Sequence, residues 1–80
     1  MPDSLKLPPL DHACWKSPKW RHDKFAELIA DGCVDYDMCE LVTGLARRTF
    51  WNYRNGDARH CPTQTTLYAI VLHARSVVAA

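Results

Sequence analysis

The sequence predicts an all-α fold: a small domain of four helices behind an extended N-terminal arm. Three observations predict it. Apolar side chains recur at three- and four-residue spacings in four stretches, and nowhere do they alternate convincingly as in a half-buried strand. Three of the stretches open on a Ser, Asp or Thr suited to capping, and three close on glycine. Eighty residues, 48% of them hydrophobic, suffice for one small core and exclude a second domain and wholesale disorder. So thin a core leaves room for stabilisation by self-association or a ligand.

Residues 1–16, "MPDSLKLPPLDHACWK", hold three prolines, scattered charge and no helical period, which predicts the extended arm. Leu5, Leu7, Leu10 and Trp15 would pack it across the domain or across a partner. Residues 17–80 form the domain proper. Its first helix takes Ser17 as N-cap and Pro18 at the first helical position. Trp20, Phe25, Leu28 and Ile29 form its apolar stripe, its acids and Lys24 a solvated face, and Gly32 its stop.

The second helix is short. Asp35 caps it, Asp37 lies near its positive end, and Gly44 ends it. Met38, Cys39, Leu41 and Val42 supply its apolar surface, with Val34 just before the cap. The third helix covers about residues 46 to 54. Leu45, Phe50 and Tyr53 face inward, whereas Arg47, Arg48, Trp51 and Asn52 share another side. Asn55-Gly56 stops it, since both residues tolerate the left-handed conformation. The fourth helix begins after Pro62 with Thr63 as cap, and Leu67, Ile70, Val71, Ala74 and Val78 form its stripe.

A net charge of +1 conceals strong blocks. Residues 1–22 carry +2, residues 23–43 carry −5, residues 44–60 carry +3, and Arg75 supplies the last positive charge. Such a chain presents a focused basic face despite its near-neutral total. No secretory leader and no run near the roughly 20 apolar residues of a membrane helix are visible, which predicts a soluble, cytoplasmic protein without a membrane partner. Cys14, Cys33, Cys39 and Cys61 then read as reduced, mostly buried thiols. The nearest approaches to zinc-ligand spacing are His12-x-Cys14 and the adjacent His60-Cys61, so no metal or other cofactor is expected. With no glycine-rich phosphate loop and no nucleophile motif, the chain does not read as an enzyme.

Two short helices joined by a glycine turn make the helix-turn-helix arrangement, whose second helix enters the DNA major groove. Gly44 sits in the turn, Leu45 follows as a buried anchor, and Phe50 and Tyr53 hold the next helix down. The match spans about Asp35 to Ala74 and includes "ELVTGLARRTFWNYRNGDARHCPTQTTLYAIVLHA". This half of the chain resembles the lambda-repressor-like (Cro/CI-type) helix-turn-helix family. The resemblance rests on Thr43-Gly44, on Arg47 to Arg54, on Asn55-Gly56, and on Pro62-Thr63 followed by Leu67 and Ile70. That family commonly has a small residue four positions before the turn glycine. This chain has Glu40 there, so either the helices cross differently or Cys39 takes the contact.

The resemblance implies a phage- or prophage-type transcriptional regulator that binds double-stranded DNA as a homodimer. Arg47 and Arg48 would fork to guanine and Asn52 would pair with adenine. Arg54 and Arg59 would clamp phosphates, and Thr49 and Asn55 complete the DNA-facing set. Trp51 touches a thymine methyl or sugar, or else anchors between helices or on a partner. Two-fold symmetry would set half-sites about 34 Å apart, with Tyr68, Val71, Leu72 and Val78 of the last helix, or the Leu-rich arm, as the dimer surface. The alternative is a protein-interaction module of the same fold that binds a host or phage protein through its Trp and Arg anchors.

Overall fold

The computed structural model describes residues 3–56 and 59–79. Among them four α-helices, α1 (Pro18–Ala30), α2 (Tyr36–Thr43), α3 (Arg47–Asn55) and α4 (Gln64–Ala79), follow two 3-10 turns at Asp3–Leu5 and Ala13–Lys16. The all-α expectation is met. Capping chemistry explains where three of the helices begin. Ser17 Oγ accepts from the Trp20 amide at 3.2 Å, Asp35 Oδ1 from Met38 at 2.7 Å, and Thr63 Oγ1 from Thr66 at 3.2 Å. Each satisfies one of the amides that a helix start leaves without an internal partner.

The expected stops behave in two ways. Gly44 has φ +74°, the left-handed conformation that favours glycine, and its amide donates to Glu40 O at 2.9 Å. Gly56 does not. Asn55 remains helical and Gly56 is extended at φ −86°, ψ −173°, so the left-handed stop expected of this pair is absent. Glycine is required there by proximity instead. A Cβ on Gly56 would lie 2.7 Å from Asn52 O and 2.9 Å from the His60 ring.

Leu5, Trp15, Phe25, Leu28, Val34, Cys39, Phe50, Leu67, Ile70, Val71 and Ala74 form one core. Two of these residues belong to the N-terminal segment and meet the expectation that it packs across the domain. The N-terminal segment folds back, and Leu5 and Trp15 are fully buried among the helices. The radius of gyration, 11.6 Å, is the value of about 12 Å that a compact chain of this length has, which leaves no projecting arm. Its carbonyls are paired. Arg75 Nε donates to Leu5 O at 2.8 Å, Gln64 Nε2 to Leu10 O at 3.2 Å, and Trp15 Nε1 to Pro8 O at 3.3 Å. Arg21 donates to Trp15 O and, at 2.9 Å, to Pro62 O, tying the segment to the start of α4. The Trp15 ring meets Trp20 edge-on at 5.0 Å and Tyr68 at 6.2 Å. Burying a side chain of this kind contributes about 1.5–3 kcal/mol, which outweighs the absence of a regular helix in a proline-rich stretch.

Other positions also depart from expectation. Lys24 is buried instead of solvated, with Nζ 3.7 Å from Glu27. Leu41 is 81% exposed, because Cys39 fixes the inner side of α2 and a residue two positions on lies roughly 200° round the helix. Leu45, expected as a buried anchor, is exposed in the linker. Val71 is fully buried and so cannot belong to a dimer surface, and Tyr68 is half-buried against Trp15. Leu72 and Val78 remain exposed, Val78 because the last turn of α4 carries the core stripe to the rim of the domain. Among the described residues no disulfide joins the cysteines. Only Cys39 is fully buried, and the other three are half-buried.

Candidate nucleic-acid interface

The linker between α2 and α3 comprises residues 44–46 and is held by its own side chains. Thr43 Oγ1 donates to Cys39 O at 2.7 Å and accepts from the Leu45 amide at 3.2 Å. With Gly44 in the left-handed conformation, these bonds turn the chain sharply while keeping the end of α2 satisfied. Cys39, not Glu40, faces the core; Glu40 is exposed. Burial, and secondarily the Asp35 carboxylate, push the Cys39 thiol up to about 12, so it packs as a small neutral hydrophobe.

Aromatic packing fixes the rotation of α3. Phe50 is fully buried, and its ring centroid lies 6.1 Å from Phe25 on α1 and 5.7 Å from Tyr53. Tyr53 meets Phe25 edge-on at 6.0 Å. Burial, then the neighbouring Cys61, pushes the Tyr53 phenol upward, which keeps it neutral. These three rings set one side of α3 inward and thereby define the other.

On that other side Arg47, Trp51, Asn55, Arg48 and Asn52 fall within an arc of roughly 140°, at about 100° per residue. Arg47, Arg48, Trp51 and Asn55 are exposed, and Asn52 is half-buried at the margin. Trp51, at 54% exposure, is not a wedge between helices. Asn55 Nδ2 donates back to Trp51 O at 3.0 Å, which braces the last turn. Thr49 and Arg54 lie outside the arc, half-buried on either side of the inward aromatics. Arg59 is exposed in the loop before α4.

Of the four helix starts, only that of α3 has no side-chain cap, and of the four only α2 has an acid in its first turn. Ala46 offers no side-chain cap, the first turn contains no acid, and Arg47 and Arg48 occupy its first two positions. Cations at a helix N-terminus are unfavourable by about 0.3–1 kcal/mol each, and a missing cap costs about 1 kcal/mol. The helix dipole at this end favours acceptors and anions, and Arg48 adds a positive charge beside it. Asp37, from the first turn of α2, forms an ion pair with Arg47 across the turn. Asp37 lies on the side of α2 opposite the buried Cys39, so helical spacing alone places it outward.

No family model, curated protein or solved structure matches the chain. Among the described residues no group of three or more His, Cys, Asp or Glu side chains is placed to hold a metal ion, and the described surface contains no ligand-sized pocket. No helix among them is long and apolar enough to cross a membrane. The arrangement offers an outward surface of cationic, amide and indole groups, suited to a polyanion with stacked bases.

Proposed function

We propose that this protein binds double-stranded DNA, with α2 and α3 acting as a helix-turn-helix and α3 entering the major groove, in the manner of the phage-type lambda-repressor-like regulators it resembles. One observation carries the reading: the exposed arc of Arg47, Arg48, Trp51, Asn52 and Asn55 is held outward by buried Phe50 and half-buried Tyr53, and it starts at an uncapped helix end. Arg47 and Arg48 read guanine edges and Asn52 reads adenine, each bidentate contact discriminating by about 1–3 kcal/mol. Trp51 lies on the sugars or a thymine methyl, while Arg54 and Arg59 reach flanking phosphates. Two copies pair through the exposed end of α4, at Leu72, Val77 and Val78. A salt titration with duplex DNA tests this. Affinity should fall steeply with salt, by about 0.9 log units per log unit for each phosphate contacted, and should vanish in the Arg47→Ala/Arg48→Ala double variant. Absence of duplex binding at low salt sinks the reading.

A second reading is favoured by Leu41 and Leu45, which are 81% and 39% exposed on the same two-helix unit as Trp51. Apolar groups of this size at a surface fit a protein partner, with Trp51 and an arginine as anchors. In that case Leu41→Asp would abolish partner capture and leave any duplex binding unchanged.

A further inference from the structure

The ion pair between Asp37 and Arg47 joins the first turn of α2 to the first residue of α3. The cap of α2 is Asp35, through the Met38 amide, so the Asp37 carboxylate is not engaged as a cap. The first turn of α3, by contrast, contains no acid and has no side-chain cap. The negative charge that α3 lacks is therefore delivered from the neighbouring helix. Both side chains remain open to solvent, Arg47 at 54% and Asp37 at 80%, so the pair lies beside the exposed arc of α3.

A guanidinium presents five N–H donors in a planar fork. Asp37 Oδ1 contacts Arg47 at Nη2, which leaves the rest of the fork for a second acceptor. Two acceptors compete for it on a duplex. A phosphate oxygen is anionic and is repelled by the adjacent carboxylate. The O6 and N7 atoms of guanine are neutral and spaced for a bidentate contact, so Asp37 leaves them acceptable. Resting on the duplex-binding reading above, we propose that Asp37 is a positioning residue for specificity: it orients Arg47 toward a guanine edge and keeps phosphate away from it. Discrimination then comes partly from a repulsive group aimed at the wrong acceptor.

The test is selection from a random-sequence duplex library, together with binding to the unselected library across a salt series. Wild type, Asp37→Ala, Asp37→Glu and Arg47→Ala are compared. Wild type should enrich a guanine at one fixed position, and Arg47→Ala should lose that preference. Asp37→Ala should lower the preference from about tenfold to about twofold. It should also bind the unselected library about 3- to 10-fold more tightly, with a salt slope steeper by about one, as Arg47 gains a phosphate. Asp37→Glu should restore the preference, which a merely structural role for residue 37 would not require. Wild-type preference and salt slope in Asp37→Ala overturn the inference and leave duplex binding standing, as does duplex binding by wild type without any enriched sequence. Failure of wild type to bind any duplex at low salt overturns the duplex reading, and this inference falls with it.

Discussion

The first turns of α2 and α3 are joined by the Asp37–Arg47 ion pair and are built in opposite ways. Asp35 caps α2 at 2.7 Å, and Asp37 adds negative charge in its first turn. At α3 an alanine precedes two arginines, and there is neither a cap nor an acid. The undersides are reversed as well. α2 buries Cys39 fully, whereas α3 is fastened by Phe50 and Tyr53 against Phe25. The difference teaches that α2 combines a capped start with a small buried thiol, whereas α3 relies on its aromatic side alone. Violations of local rules concentrate at functional sites, which is why the start of α3 belongs to the proposed binding surface.

The largest effect comes from removing the side that holds α3. Phe50→Ala should cost about 3–5 kcal/mol, read as a fall in the urea midpoint, and most of a small domain's stability would go with it. A loss under about 1 kcal/mol would mean that α3 is not fastened by its aromatics. On the α2 side, Cys39 offers a pH-dependent probe. Its thiol titrates near 12 when folded, against about 9 ordinarily, so the unfolded thiol ionises first. Stability should be intact below pH 9 and fall between pH 9 and 12, by at most about 1.4 kcal/mol per unit. Native-state alkylation at pH 8 should spare Cys39 until the chain is unfolded.

Smaller changes address the ends. Asp35→Ala should cost about 1 kcal/mol by removing the cap of α2. Ala46→Ser should move the other way and stabilise α3 by about 0.5–1 kcal/mol, seen as a higher melting temperature. Ala46→Asp should stabilise similarly yet weaken duplex binding, because it places a second carboxylate beside Arg47 and Arg48 and offsets their positive charge. Stabilisation by both variants with unaltered duplex binding would separate the helix start from the binding surface.

Much of this architecture was legible in the sequence because local chemistry sets it. Ser17, Asp35, Thr63 and Gly44 act as capping rules require, and the inward Phe50 and Tyr53 follow from helical spacing. What spacing could not show was decided by tertiary contact. Leu5 and Trp15 lie in a stretch without period, yet they are core. Leu41 and Leu45 are apolar by composition yet exposed, Leu41 because Cys39 fixes the inner side of α2 and Leu45 because it lies in the linker. Of the site, the exposed arc was readable, but the Asp37–Arg47 pair was not, since it joins residues ten apart on two helices whose crossing no periodicity encodes. Thr49, expected among the DNA-facing residues, and Arg54, expected as a phosphate clamp, are both half-buried beside the inward aromatics.

The bond from Arg75 to Leu5 O spans nearly the whole chain, and Leu5 is a core residue. During vectorial synthesis α1, α2 and α3 would all be available before α4 could cover their shared apolar surfaces. Until then Leu5, Trp15 and Phe25 lack partners such as Ile70 and Val71, and the nascent chain carries exposed aromatic surface. Closure of the domain therefore waits on α4. A chain cut before residue 64 should accumulate as a chaperone-bound or aggregated species, not as a smaller folded domain.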